Sequence, residues 1–368
     1  MPTLYIWMDQ GDAEPTDWNR FRTAGWAIRT DRPIHFDSIA TAHTDFPQPM
    51  KRILVTGSNG QIGSDLVRTL RRRHGTDRVV ALDVEPPAIV NGAAARTEVA
   101  DVRDADALAR VVHEHEIGAV YHLASLLSAS GERKPDRAWD VNVNGLKHVL
   151  DLAREHALRV FWPSSIAVFG PDTPKTETPQ ETILTPDTMY GVTKRSGELL
   201  CRYYHRRYGV DVRSVRYPGL ISYLTPPGGG TTDYAVDMLQ AAERGEPYTC
   251  FLRPDTRLPM MYMPDALQAI HDLMAADADA LSVRTSYNVT AFSFSAEELA
   301  DAIRAHCPSF TVEYAPDERQ QIADSWPASI DDTTARADWD WAPSFDLDAM
   351  VADMLEHLRE GVGEREHG

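Results

Sequence analysis

The sequence predicts an α/β protein built on a doubly wound parallel sheet, with a smaller C-terminal lobe. Three observations predict it. From residue 51, short apolar runs alternate with amphipathic stretches, the pattern of successive βαβ units. A glycine-rich turn, "VTGSNGQIG", joins the first run to the first amphipathic stretch. Beyond residue 218, segments such as "PPGGG" (226–230) and "RLPMMYMPDAL" (257–267) break the alternation into shorter pieces.

"RILVT" reads as the first buried strand. "SDLVRTLRRRHG" follows as a helix, with Leu66, Val67 and Leu70 on one face and Gly75 as its stop. "VVALD" and "TEVAD" are the second and third strands. "DADALARVVHEHE" is a helix capped by Asp104, turning Leu108, Val111 and Val112 inward. "GAVYHLA" is the fourth strand, a long helix spans 136–156, and "RVFWPSS" is the fifth strand. "TMYGVTKRSGELLCRYYHRRYG" makes the next helix and "VRSVRYPG" the sixth strand. The expected organisation is a doubly wound domain over 50–217 and a lobe mainly over 218–350, with some chain returning to the first domain. A helix end and frayed tail occupy 351–368. Residues 1–49 hold three tryptophans, no lysine and no sustained period, and Met50 directly precedes "KRILVTG". They are expected to be disordered or to lie upstream of the true start; a genuine N-terminal appendage is the competing reading.

Composition narrows the function. A net charge of −18 with 25% charged residues repels nucleic acid and anionic membranes. No apolar run approaches the ~18 residues that span a bilayer. Cys201, Cys250 and Cys307 are scattered, with no CxxC pair, which fits a reducing cytoplasm and argues against a disulfide framework or structural zinc. The acidic, lysine-poor surface suits a high-salt cytoplasm, although a GC-rich genome alone also favours arginine over lysine.

The glycines carry the first chemistry. Gly57, Gly60 and Gly63 lie between a strand and a helix. There they permit a tight turn and let a pyrophosphate rest on the helix N-terminus. Asp83 ends the second strand, placed to accept hydrogen bonds from an adenosine ribose. Its charge repels a 2′-phosphate, so NAD is expected rather than NADP. Asp101 and Val102 end the third strand and border the adenine, or Asp101 only caps a loop.

Tyr190 and Lys194 in "YGVTK" share a helix face. Ser165 closes the fifth strand, whose end faces the same crevice. A tyrosine hydroxyl ionises near 10, and bringing it to about 7 takes roughly 4 kcal/mol. A lysine ammonium and the positive nicotinamide ring supply that stabilisation in a partly dry site. Tyr190 is then the proton acceptor, Ser165 a partner for the same substrate oxygen, and Lys194 the group that tunes Tyr190 and holds the ribose. For a small zwitterion, "GGGTTD" offers Thr231, Thr232 and Asp233 beside a flexible loop, and Ser128 projects after the fourth strand. The competing reading has these hydroxyls cap the helix "DYAVDML". Arg257 and Tyr262 are further candidates, with Arg257 alternatively bridging the lobes. His122 is expected to be a packed core residue.

T-G-x-x-G-x-x-G, the acid after the second strand, "YHLAS", "NVNG", the serine pair and Y-x-x-x-K together resemble the extended short-chain dehydrogenase/reductase superfamily. The resemblance runs from about residue 51 to 350. "FWPSSIAVFGPDTPK", "YPGLISYLTPPGGGTTDYAVDML" and "YTCFLRPDTRLPMMYMPDAL" are similar to its short-chain L-threonine 3-dehydrogenase family. That resemblance implies metal-free, NAD-dependent oxidation of the L-threonine β-hydroxyl to 2-amino-3-oxobutanoate. The product would be cleaved by a CoA-dependent partner enzyme or would decarboxylate to aminoacetone. It implies cofactor contacts at Asn59, Gln61, Ile62, Leu123, Ala124 and Leu220 besides the glycines, Asp83, Tyr190 and Lys194. It also implies a homodimer packed through helices 136–156 and 188–208. Alternative readings are a nucleotide-sugar 4-epimerase or dehydratase of the same superfamily, and a non-catalytic NAD-binding scaffold.

Overall fold

The computed structural model describes residues 51–86, 95–224 and 230–366. Residues 1–50, which include the segment 1–49 expected to be disordered or upstream, residues 87–94, residues 225–229 with most of "PPGGG", and residues 367–368 lie outside the described residues.

The chain starts with β1 (Arg52–Thr56), α1 (Gln61–His74), β2 (Val79–Asp83), β3 (Arg96–Val99), α2 (Ala105–Glu114) and β4 (Ile117–His122). Next come α3 (Ser128–Arg133), α4 (Pro135–Trp139), α5 (Gly145–His156), β5 (Arg159–Ser165), α6 (Met189–Tyr208) and β6 (Val212–Tyr217). The remainder is β7 (Gly219–Ile221), α7 (Tyr234–Glu243), β8 (Tyr248–Cys250), β9 (Arg257–Tyr262), α8 (Met263–Ala275), β10 (Tyr287–Asn288), β11 (Phe292–Ser295), α9 (Ala296–His306) and β12 (Val312–Tyr314). Helices α10 (Arg319–Ser325), α11 (Thr333–Trp339) and α12 (Leu347–Glu366) close the chain.

Seven strands form one sheet in the order β10-β6-β5-β4-β1-β2-β3, and its pairings are parallel. Alternation along each strand fills both faces. Leu54, Val120 and Trp162 pack with Leu146 and Leu150 of α5 on one side. Val55, Tyr121 and Phe161 pack with Leu66 and Leu70 of α1 and Ile270 of α8 on the other. Chain order reverses between β4 and β1, and the crevice beyond the carboxyl ends at such a point is where α/β sheets take ligands. A second sheet, β11-β9-β7, and the pair β12-β8 belong to the later part of the chain. Phe169, Tyr234, Met260, Phe294 and Met350 are buried there.

One local expectation needs correction. The helix expected over 136–156 is α4, one π-helical turn at Asp140–Asn144, and then α5. Asn142 sits in the wide turn and bonds across to another segment. The region after the fourth strand also forms α3, and Ser128 opens this short helix. Asp104 caps α2 as expected, accepting from Ala107 N at 3.0 Å. Among the described residues, no helix is long and apolar enough to cross a membrane.

Candidate active site

The site begins at the turn after β1. Gly57 adopts φ +70, and a Cβ there would lie 2.6 Å from Ala124 N. A Cβ at Gly63 would lie 2.1 Å from Gly57 O. Side chains are excluded at both positions, leaving a bare backbone cradle over the start of α1. No acidic residue occupies the first turn of α1, so its amides and dipole remain free for an anion. Asp83 fixes this turn from β2: its Oδ2 accepts from Asn59 N at 2.9 Å and its Oδ1 from Val84 N at 2.8 Å. Each carboxylate oxygen keeps a further lone pair for a ribose hydroxyl. These features suit a dinucleotide whose pyrophosphate lies on α1.

Helix α6 carries the second half. Thr188 caps it by accepting from Gly191 N at 3.1 Å. Tyr190 and Lys194 then point to the end of β5, where Lys194 Nζ donates to Pro163 O at 2.7 Å. The serine pair divides its duties. Ser164 Oγ donates to the buried Glu198 at 2.9 Å, and Glu198 is held by Arg216 at 2.7 and 3.0 Å. Ser165 accepts from Ala167 N at 3.2 Å, and its side chain acts to lower the nearby Tyr190 hydroxyl. Burial outweighs Ser165 and pushes the Tyr190 hydroxyl up to about 12, and pushes the Lys194 ammonium down to about 7.

These groups line one cavity of about 230 Å³, with Gly57, Gly60, Gln61, Ile62, Gly63, Leu123 and Leu220 at the cofactor end. Ser128, Thr231, Thr232 and Asp233 line it too. Helix α7 begins after Asp233 without a side-chain cap, so capping does not occupy the two threonine hydroxyls. Asp233 accepts from Gly230 N.

Other candidates lie elsewhere. Asp101 is engaged by Arg103 at 3.0 and 2.6 Å, the loop-capping alternative. Val102 is buried against the helix face of the sheet. Arg257 bonds Ser293 O and Glu298, and the Tyr262 hydroxyl donates to Asp353 at 2.7 Å. His122 is buried, its Nδ1 2.8 Å from the Thr56 hydroxyl, and burial brings it down to about 3.

Two residues of the site escaped sequence reasoning. Asn142 accepts from Leu126 N and donates to Leu126 O and the Thr193 hydroxyl at 2.8, 3.0 and 3.0 Å. Thr193 in turn donates to Tyr190 O at 2.8 Å. Asn142 therefore ties the crevice wall to the Tyr190 turn. Trp326, just past α10, adds an aromatic wall to the cavity. Neither carries a local spacing signal, though "NVNG" marks the first. Among the described residues, no cluster of three or more His, Cys, Asp or Glu side chains is arranged to hold a metal ion.

Residues 53–290 match the NAD dependent epimerase/dehydratase family. An uncharacterized epimerase/dehydratase of Staphylococcus aureus (strain USA300) is 48% identical over 316 residues, spanning 84% of this chain and 98% of that protein. A GalE-like L-threonine dehydrogenase from Cupriavidus necator, in its holo form, is 55% identical with a TM-score of 0.81, covering 83% of this chain and 99% of that one. The L-threonine dehydrogenase of Phytophthora infestans is 52% identical with a TM-score of 0.81, covering 84% and 100%. The chain belongs to the NAD dependent epimerase/dehydratase family and is an NAD-dependent oxidoreductase.

Proposed function

We propose that this enzyme oxidises the β-hydroxyl of L-threonine to a ketone, giving 2-amino-3-oxobutanoate, NADH and a proton. One observation carries the reading. Ser165, Tyr190 and Lys194 meet Thr231, Thr232 and Trp326 around a single cavity of about 230 Å³, sized for the reacting ring and a small amino acid. The names of the similar solved structures support it.

The glycine turn, Asp83, Leu123 and Leu220 would hold NAD, which supplies the acceptor for the β-carbon hydride. Tyr190 accepts the hydroxyl proton, and Ser165 hydrogen-bonds the same oxygen. Lys194 places a positive charge beside the phenolate that accepts this proton. The threonine hydroxyls of residues 231 and 232 and Ser128 bind the charged end of the substrate, while Trp326 shields the methyl group. On the surface of α6, Val192, Leu199 and Tyr203 are exposed on one face at helical spacing, and we assign this stripe to a homodimer contact.

The test is NADH absorbance with L-threonine, then with UDP-glucose and UDP-galactose, each with and without a chelator. Turnover confined to the nucleotide sugars would sink this reading. Loss of threonine turnover on chelation would remove the metal-free mechanism.

A further inference from the structure

The buried ammonium of Lys194 has an unusual set of neighbours. Its Nζ lies 4.8 Å from the centre of the Trp162 ring, and its one hydrogen bond within the described protein goes to Pro163 O at 2.7 Å. Among the described residues, no negative charge in its surroundings is free to balance it. On α6, Glu198 is already engaged by Arg216, Arg195 and Ser164 at 2.7, 3.0 and 2.9 Å. Cys201 on the same helix stays a neutral thiol, because burial raises it. Tyr190 stays a neutral phenol with its hydroxyl pushed up to about 12. From β4, His122 is neutral and bonded to Thr56. From β6, burial keeps Tyr217 protonated and Arg216 is spent on Glu198. Helix α5 contributes Leu146 beside the indole.

What remains is the π face of Trp162. An indole attracts a desolvated cation more strongly than the other aromatic rings do. This indole is also fixed in place. A Cβ on Gly197 would lie 2.4 Å from the ring edge and 3.1 Å from Leu146, so α6 approaches β5 this closely only because position 197 is bare. Trp162 is 2% exposed.

We propose that Trp162, locked by Gly197, is a positioning residue that holds the Lys194 ammonium charged and in place beside Tyr190. The inference rests on the acid–base role given to Lys194 above and names what sustains it. An ammonium with no counter-ion in a dry site sheds its proton easily, and a neutral lysine does nothing to stabilise the Tyr190 phenolate that must accept the substrate proton. The indole offsets part of that burial without a carboxylate, which would draw Lys194 away from the cofactor's side of the cavity.

The test uses the full chain, labelled with lysine carrying ¹³C at Cε, and follows each resonance with pH. The sequence has only five lysines, and the Lys194 signal is the one lost in Lys194→Met. Trp162→Phe, Trp162→Leu and Gly197→Ala are compared with the parent. The Lys194 midpoint should fall in the order Trp, Phe, Leu, by about one pH unit between the extremes. Gly197→Ala should lower it by displacing the indole. The alkaline limb of kcat/KM for L-threonine should move in parallel, with the Phe variant recovering part of the loss. An unmoved midpoint in both Trp162→Leu and Gly197→Ala overturns the proposal, as does a midpoint that rises. If the midpoints follow the expected order but no variant oxidises L-threonine, the substrate reading fails and the role of Trp162 stands.

Discussion

Lys194 Nζ lies 5.5 Å from the centre of the Tyr190 ring, one helical turn along α6, and the protein moves the two groups in opposite directions. The phenol is pushed up to about 12 and the ammonium down to about 7. Bringing such a phenol to about 7 takes about 7 kcal/mol. The protein without cofactor therefore holds Tyr190 protonated, and the missing stabilisation has to arrive with a positive nicotinamide ring. The first prediction follows. Difference absorbance should show an extra tyrosinate near neutral pH only when NAD is present, and Tyr190→Phe should abolish that signal. A tyrosinate of equal size without NAD would mean that Lys194 suffices.

Tyr190→Phe deletes the proton acceptor while keeping the ring in place. Turnover should fall ~10²–10⁴-fold, the usual cost of losing a general base, with NAD affinity by calorimetry nearly unchanged. Ser165→Ala should cost less, since it removes a hydrogen-bond partner and leaves the acceptor. A phenylalanine variant with parental turnover would return Tyr190 and Lys194 to a merely structural pair.

Legibility of the site follows from how locally each role is encoded. Gly57, Gly63 and Asp83 are candidates through one strand–turn–helix unit, while the helical spacing of Tyr190 and Lys194 gains a catalytic reading only beside Ser165 and the glycines. Ser165 was legible as a strand end. Ser164, its neighbour, turns instead to Glu198, a partner no local pattern names. Trp326 and Asn142 reach the cavity from distant parts of the chain, and their roles depend on which segments the fold brings together. In the sheet, the buried strand runs foretold the six strands β1 to β6. Strand β10 is two residues long, too short for any period, and was invisible.

Asp83 combines two roles: it anchors the glycine turn through Asn59 N and presents negative charge where a 2′-phosphate would sit. Asp83→Asn keeps the acceptor oxygen and removes the charge. The ratio of kcat/KM for NAD over NADP should fall by at least about tenfold, on the order of the 1.4 kcal/mol expected for one charge at a partly exposed site. Steady-state kinetics with both cofactors decides it, and an unchanged ratio would mean that another group selects the cofactor.

Burial of Lys194 costs stability, with a definite sign. Its ammonium falls from an unfolded value of 10.5 to about 7 in the folded chain. Between those values the unfolded chain holds a proton that the folded one lacks, so this group makes stability rise with pH across that window. Below about 7 the whole penalty is present. Lys194→Met should therefore be inactive yet melt higher than the parent at pH 6 in cofactor-free protein, with the gap narrowing toward pH 10. Calorimetry at the two pH values checks it, and a variant that melts lower at pH 6 would show that the bond to Pro163 O and the Trp162 contact outweigh the burial cost.

The threonine hydroxyls make the substrate end testable apart from the chemistry. Thr231 is buried and lines the cavity beside Thr232, while α7 starts without a side-chain cap. Thr231→Val and Thr232→Val keep the shape and delete one hydroxyl each. If they bind the charged end of the substrate, each should raise KM for L-threonine about tenfold, since a hydrogen bond to a charged group contributes ~1.5–3 kcal/mol. KM for NAD should hold, because the cofactor end of the cavity is untouched. Melting temperature should hold as well, because no helix cap is lost. The parent should also prefer L-threonine to L-serine, as one methyl in a fitted pocket is worth ~1–3 kcal/mol, and Trp326→Ala should erode that preference. Valine variants with unaltered KM would move the ammonium and carboxylate contacts to Ser128 and the remaining wall of the cavity. An alanine variant with the same threonine-to-serine ratio would remove Trp326 from the methyl pocket.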